Sequence, residues 1–526
     1  MLSKNQLSLE ELTTALYLYT LKYSQYVVEN YNIDDIMRFT NRYAVGCEKG
    51  RGSRHFLRVS IPGGFLTCEQ FRAVANISEK YGKGHAEITS RQNIQMHWIN
   101  GMESIEVFKK LEEIGFTTDF CGQGKPVAHF GDVRNIVGCP VSGIDKDGVM
   151  DVLPLIHKVK KLVSGNREFL DLPRKFKISI SGCTKNCVSP EIQDLALVAT
   201  KKETDDIGFV AFLGGGTGTP PRIGKPLGVF IRLENVLQVI EALLRMFRDM
   251  GARSSKARSR FKFFVDEIGI DRIRENLQSV IGEKLDRFDH GALVTSGNEH
   301  VGIKPQKNDN YCYINYPIQN GELTSFQMLK IAEIAENYAS PELRLTPFQN
   351  LVFTGVEWKF TNKIIQEMRK IGLPFNVFPL SWTALSCRAE FCRLAVISDS
   401  TSARTREIVN YLEKRFYTEP SALNLKLSVS GCPSACSRFP IADIGLQATL
   451  TRDRNITIEG YNIYVGGVLG KKPTFGRLVK RSVPIADLNA RIGNIVEKFM
   501  QKKVDDETFS SFCERYSVAE LAEFME

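Results

Sequence analysis

The sequence predicts an α+β fold made of two copies of one plan, and three observations carry the prediction. First, short segments recur at a constant offset: Gly64-Phe-Leu-Thr-Cys-Glu-Gln70 returns as Gly321-Glu-Leu-Thr-Ser-Phe-Gln327. Second, Glu87-Ile-Thr-Ser-Arg-Gln-Asn-Ile94 and Arg344-Leu-Thr-Pro-Phe-Gln-Asn-Leu351 keep the same offset. Third, Gly182-Cys-Thr-Lys-Asn-Cys187 pairs with Gly431-Cys-Pro-Ser-Ala-Cys436, each after an alternating strand pattern and each followed by a glycine-rich turn (Phe212-Leu-Gly-Gly-Gly, Tyr464-Val-Gly-Gly). A duplicated chain with pseudo-twofold symmetry is the economical account.

Each element has a local reason. Thr67 with Gln70 and Thr324 with Gln327 form Thr-x-x-Gln boxes that start a helix. In the second copy Ile331, Ile334, Ala335 and Tyr338 follow at helical spacing. The Glu87–Ile94 and Arg344–Leu351 stretches read as strands, each followed by a helix (103–114 and 360–371). The plan divides as an N-terminal helical segment (1–50), a β-α-β unit (51–118), a mixed lobe (119–300), a second β-α-β unit (301–376), a second lobe (377–500) and a helical tail (501–526). The halves are expected to share one interior, where a large cofactor would sit.

With 526 residues, 43% apolar and 25% charged, the composition is that of a globular protein. Glu10 and Glu11 interrupt the first apolar pattern, so the N-terminus reads as an amphipathic helix and not a signal peptide. No apolar run reaches the roughly 18 residues of a membrane span. Twelve cysteines without an export signal point to reduced thiols and metal work in the cytoplasm. The formal charge of +9 favours anionic partners. The absence of zinc-finger spacing and of an aromatic RNP-type strand argues against nucleic acid. The basic run Arg253–Lys262 reads as a solvated face.

Cys387 and Cys392 form one thiol pair, and Cys432 and Cys436 a second. Four thiolates on two converging loops satisfy a cubane iron–sulfur cluster; a tetrathiolate zinc knot or four buried thiols fit the spacing equally well. The first half has Cys139, Cys183 and Cys187 in the places of Cys392, Cys432 and Cys436, but no counterpart of Cys387. Those three read as buried structural thiols, or as a second cluster completed by Cys121 or a non-cysteine ligand. Cys47, Cys68, Cys312 and Cys513 have no motif and read as ordinary buried thiols.

Where the first half lacks cluster ligands it carries cations. Arg58 precedes a Pro-Gly-Gly turn; Arg91, Gln95 and His97 alternate along ITSRQNIQMHWI; Arg134 lies in GDVRNIVGCP; Lys175 and Lys177 are two apart in LPRKFKISISG. Each alone reads as a surface cation. Together they make an anion pocket in which Arg grips flat oxyanions and Lys adds point charge and a transferable proton.

The motifs IPGG, TSRQNIQ, GDVRNIVGCP, LPRKFK, the GGG turn and GCPSACSR, in this order, resemble the siroheme and [4Fe-4S] sulfite and nitrite reductases from about residue 40 to 500. The resemblance implies ferredoxin-like units at 51–118 and 301–376, a siroheme and substrate lobe at 119–300, and a cluster lobe at 377–500. It implies that Cys387, Cys392, Cys432 and Cys436 hold a [4Fe-4S] cluster, with Cys436 bridging to siroheme iron. It implies substrate contact by Arg58, Arg134, Lys175 and Lys177, and siroheme contact by Thr89, Arg91, Gln95 and His97. One departure is that four residues separate Cys387 from Cys392, where the family usually has five.

The resemblance further implies six-electron reduction of sulfite or nitrite, with electrons from ferredoxin or another acidic donor because the chain has no flavin or nicotinamide module. Lysine at position 177 resembles the sulfite-reducing members, whereas ISGCTKNCVSPEIQDLALV is as close to the nitrite-reducing ones. An iron–sulfur carrier or sensor without turnover, and a zinc-stabilised nucleic-acid-binding protein, are the readings from other classes.

Overall fold

Two five- and six-stranded sheets that exchange strands between the halves form the base of the molecule. The structure, a computed structural model of the chain, describes residues 45–47, 54–118, 131–164, 166–169, 172–255, 257–289, 300–375, 378–453 and 456–526. The expected N-terminal helix and Cys121 lie outside the described residues, as does the side chain of Cys47.

The helices Cys68–Tyr81 and Ser325–Tyr338 begin where the Thr-x-x-Gln boxes place them. Gln70 N donates to Thr67 Oγ1 at 3.1 Å while Thr67 N donates to Gln70 Oε1 at 3.0 Å. Thr324 and Gln327 repeat this at 3.1 and 2.9 Å. Each box satisfies two backbone N–H groups that the first turn leaves open. Both glutamines also use Nε2, on the carbonyls of Ile114 (2.9 Å) and Ile371 (3.0 Å), which fix the ends of the following helices. Those helices span Ser104–Glu113 and Thr361–Lys370.

The strand Glu322–Thr324 of the second half pairs antiparallel with His85–Ile88 of the first, Glu322 opposite Glu87. Reciprocally, Phe65–Thr67 of the first half pairs with Glu342–Leu345 of the second. The exchange merges both units into one core in which Phe71, Met96 and Phe108 pack with Ile314, Ile331 and Phe353, all fully buried. Side chains of that size contribute roughly 1.5–3 kcal/mol each on burial.

The stretches Glu87–Ile94 and Arg344–Leu351 depart from the single strands expected. Each is a strand, a turn and the start of the next strand: His85–Ile88 and Ile94–Asn100, and Glu342–Leu345 and Leu351–Glu357. Thr89 Oγ1 accepts from Arg91 N (3.2 Å) and Asn93 N (3.1 Å), and Thr346 Oγ1 from Phe348 N (3.2 Å) and Asn350 N (3.1 Å). Gln92 (φ 58°) and Gln349 (φ 64°) take the left-handed conformation that reverses the chain. Arg91 therefore sits in a turn and not on a strand with Gln95 and His97.

Each lobe carries a mixed sheet. Val137–Gly138, Ile178–Ser181 and Leu195–Lys201 run parallel, and Ile207–Leu213 closes antiparallel. Leu385–Ser386, Leu427–Ser430, Ile444–Asp453 and Ile456–Val465 repeat the order. The tail helices Phe509–Arg515 and Val518–Glu523 bury Phe512, Cys513 and Leu521 in the second lobe's core. Cys68 and Cys312 are buried in the shared core. No helix among the described residues is long and apolar enough to cross a membrane.

Candidate active site at the junction of the halves

The Gly431–Cys436 loop leaves the end of the strand Leu427–Ser430, and its left-handed residues Ala435 (φ 53°) and Arg438 (φ 68°) fold it back. The first half holds it from two sides. Thr217 and Thr219, after the glycine-rich turn, donate to the carbonyls of Ala435 and Pro433, both at 3.3 Å. From the Thr89–Asn93 turn, Ser90 Oγ donates to the Cys436 carbonyl at 3.3 Å, and Arg438 Nη2 returns a bond to the Ser90 carbonyl at 2.5 Å.

The companion thiols sit on the 387–392 segment. Cys387 Sγ accepts from Gly431 N at 3.2 Å, and the Cys387 carbonyl accepts from Thr401 Oγ1 at 2.6 Å. Cys436 is exposed, Cys387 and Cys392 half-buried, and Cys432 buried. Burial pushes the Cys387, Cys392 and Cys432 thiols up, each reinforced by a neighbouring thiolate. A bound metal removes those protons. Four thiols on two neighbouring segments suit a cubane, in which each thiolate holds its own iron.

Arg58 and Gln95 face each other across paired strands and are hydrogen-bonded, Arg58 Nε donating to Gln95 Oε1. Gln95 Nε2 reaches Glu87 Oε1 at 2.5 Å and His97 Nε2 at 3.0 Å, so Gln95 and His97 do share a face. His97 stacks on Phe391 with centroids 3.8 Å apart. Glu87 Oε2 meets Arg388 Nε at 2.7 Å, and Arg388 also pairs with Glu322 and Glu390. Burial alone would raise the Glu87 carboxyl, but Arg388 and His97 outweigh it and hold it below its usual value. This network ties Arg58 to the segment between Cys387 and Cys392.

A second group surrounds the lysines. Lys175 and Lys177 flank the fully buried Phe176, which anchors them by a bridge to Val133. Arg134 is buried, with Nη1 3.7 Å from Asp132 Oδ1 and its backbone N–H on the Phe176 carbonyl. Arg91 reaches the Asn135 carbonyl at 2.5 Å and Gln193 Oε1 at 3.3 Å. Burial, with Arg260, Arg134 and Arg174 nearby, pushes Lys175 down to about 7. Lys177 is driven well below its ordinary value by burial and then by Lys175, Arg91 and Arg260. The thiolate of Cys436 counts among the charges that act on Lys175, and Arg58 among those that act on Cys392. The structure thus brings Arg58 and Lys175 of one half within electrostatic reach of the cysteine loops of the other, with Arg134 and Lys177 beside Lys175.

Arg260, Arg388 and Glu87 escaped the sequence reading. Arg260 belongs to the basic run expected to be solvated, yet it bonds both oxygens of the fully buried Asp194 at 2.9 and 2.8 Å. Lys262 is buried too, with Nζ on the carbonyls of Gly218 and Pro220. The signal for burial was the aromatic pattern Phe261, Phe263, Phe264 around the charges. Arg388 was marked only by standing between the paired cysteines Cys387 and Cys392.

The cation excess tests the fit of the implied cofactor. Lys175, Lys177, Arg91, Arg134, Arg174 and Arg260 act on one another here, six cations with the carboxylates of Asp194 and Asp132 among them. The buried Nε of Arg260 is without a hydrogen-bond partner. A polycarboxylate tetrapyrrole and an oxyanion are what such a set accepts.

Comparison with known proteins agrees. Residues 130–285 and 383–526 match the nitrite and sulphite reductase 4Fe-4S domain, and residues 48–114 and 304–371 the nitrite/sulfite reductase ferredoxin-like half domain. "Sulfite reductase [ferredoxin] 1" of Mycolicibacterium paratuberculosis is 31% identical over 474 residues, 88% of this chain and 83% of that protein. "Ferredoxin--nitrite reductase" of Leptolyngbya laminosa is 31% identical over 461 residues, covering 84% and 86%. The solved structure of the Mycobacterium tuberculosis NirA protein superposes with a TM-score of 0.85 at 25% identity, covering 98% of both chains. With its duplicated ferredoxin-like units, its two cysteine pairs and its cation pocket in place, the chain belongs to the nitrite and sulphite reductase family, oxidoreductases that use siroheme and a [4Fe-4S] cluster.

Proposed function

We propose that this chain reduces sulfite to sulfide, taking six electrons one at a time from a ferredoxin-type donor. Cys387, Cys392, Cys432 and Cys436 would hold the [4Fe-4S] cluster, with Cys436 the thiol on the side of the siroheme. When bound, the two cofactors would supply single-electron redox chemistry. Thr89 and Arg91, at the turn that grips the cysteine loop, orient the siroheme, while Gln95 and His97 set the position of Arg58.

The chain's own part in the reaction is charge and protons. Arg58 and Arg134 hold the oxyanion. Lys175 and Lys177 stabilise developing negative charge and pass protons from Nζ to oxygen as S–O bonds break. An amine held near 7 is matched to that task at neutral pH, because it gives up its proton readily and regains it from solvent. The observation that carries the choice of sulfite is the second lysine, Lys177, beside Lys175 in a pocket of excess positive charge. Sulfite is the more highly charged of the two anions near neutral pH.

Nitrite reduction to ammonia is the second reading, favoured by the equal likeness to sulfite- and nitrite-named relatives. The formal charge of +9 suits steering of an acidic donor, and the cytoplasm is the compartment that fits reduced thiols and such a donor. Anaerobic turnover with a reduced chemical donor decides between the substrates. A higher kcat/KM for sulfite, lost in Lys177→Asn, supports the reading; a nitrite preference unchanged by that substitution overturns it.

A further inference from the structure

The three first-half cysteines that fall one ligand short of a cluster acquire a fourth partner from the last residue of their lobe, where the chain passes to the second ferredoxin-like unit. Cys139, Cys183, Cys187 and His300 are all buried, and their ligand atoms all lie within 4.8 Å of one another. Cys183 Sγ stands 3.7 Å from Cys139 Sγ and 3.7 Å from Cys187 Sγ. His300 Nε2 stands 3.4 Å from Cys183 Sγ and 3.7 Å from Cys139 Sγ.

These separations fit one ion. With Zn–S of about 2.3 Å and Zn–N of about 2.0–2.1 Å, a tetrahedron puts sulfurs ~3.8 Å apart and nitrogen ~3.5 Å from sulfur. A disulfide would need about 2.05 Å. A cubane would need wider spacing, because each thiolate binds its own iron.

The surroundings of His300 point the same way. Its Nδ1 lies 3.4 Å from the Tyr313 hydroxyl and 3.6 Å from Asp145 Oδ2, and Lys185 Nζ lies 3.4 Å from Asp145. A carboxylate and a phenol at Nδ1 favour the proton there and turn the Nε2 lone pair towards the three sulfurs. That is the outer-shell arrangement of a metal-ligating histidine.

We propose that Cys139, Cys183, Cys187 and His300 bind one structural zinc ion. Three sulfurs and one nitrogen close the tetrahedron and leave no position for substrate. Binding displaces the thiol protons and involves no electron transfer. The ion would pin two loops of the first lobe to the segment entering the strand Gly302–Pro305 of the second ferredoxin-like unit. It would thus staple the first lobe to the second ferredoxin-like unit. The inference does not depend on which anion the enzyme reduces.

The test is elemental analysis and zinc absorption spectroscopy on the full-length holoprotein, purified without chelator or metal-affinity resin. One zinc per chain is expected, with three sulfurs near 2.3 Å and one nitrogen near 2.0–2.1 Å. His300→Ala and Cys183→Ser are expected to lose that zinc and several degrees of Tm while keeping the [4Fe-4S] EPR signal of the reduced protein. A zinc-free wild-type chain, zinc without sulfur ligands, or the iron content and EPR of a second cluster would each overturn the proposal. So would full zinc retention in both variants. Should the variants fail to fold, the wild-type stoichiometry and spectrum decide alone.

Discussion

The loops Gly182–Cys187 and Gly431–Cys436 have the same backbone and opposite fates. Both follow fully buried four-residue strands, Ile178–Ser181 and Leu427–Ser430. Both turn through left-handed residues at matched places, Asn186 and Ser189 in one, Ala435 and Arg438 in the other. Behind each, a carboxylate accepts the backbone N–H of a lysine: Asp194 from Lys177 at 2.9 Å, Asp443 from Lys426 at 2.8 Å. Yet Cys183 and Cys187 are buried around His300, whereas Cys436 is exposed towards the cations of the other half. Duplication supplied one scaffold twice; what each copy does depends on the side chains its opposite half presents.

The largest test of that contrast is to remove the last cysteine of each loop. Cys436→Ser is expected to abolish the cluster EPR signal and lower kcat by at least ~10³-fold, the scale on which enzymes lose rate when a unit of catalysis is removed. Cys187→Ser is expected to leave the cluster signal in place. Equal loss of the signal in both would mean that the loops are not functionally divided. Next in size comes Lys177→Met, expected to lower kcat by ~10²–10³-fold, as for loss of one preorganised donor to developing charge. A change confined to KM would move Lys177 from proton and charge delivery to simple binding.

The lysines also predict a pH dependence of the cofactor-free protein. Folded Lys175 lies at about 7 against an ordinary 10.5, lowered by burial and then by Arg260. Between those values the unfolded chain binds a proton that the folded chain does not, so unfolding free energy rises with pH across the window. Below pH 7 both states are protonated, and the folded state carries the full cost of the buried charge. Urea unfolding of siroheme-free protein at pH 7 and pH 9 should therefore show a rise that Lys175→Met diminishes. An unchanged slope in that variant would mean the surrounding cations do not act on Lys175 as the structure implies.

How far the sequence could be read follows from the range of the interactions. Capping boxes, repeated motifs and cysteine pairs are local, so the duplication, the helix starts and the two thiol pairs were legible. The turns Thr89–Asn93 and Thr346–Asn350 read as strand because their neighbours have strand periodicity; the reversals depend on Gln92 and Gln349 tolerating φ 58° and 64° and on each threonine Oγ1 capping two N–H groups. Arg260 was misplaced because a basic run is usually solvated, and its buried partner Asp194 is distant in the chain. His300 bears no motif at all. Its meeting with Cys139 depends on how the second ferredoxin-like unit enters against the first lobe, which no local pattern encodes.

The smallest expected effect gives the sharpest check on the symmetry itself. Thr67→Ala and Thr324→Ala each remove a side-chain acceptor from the third backbone N–H of a helix, with bonds of 3.1 Å in both. Loss of such a cap costs about 1 kcal/mol. Both threonines sit on exchanged strands that feed one core, so equilibrium denaturation should show near-equal losses in a single cooperative transition. Two separate transitions, each sensitive to only one substitution, would show that the units fold independently and that the strand exchange does not unite them.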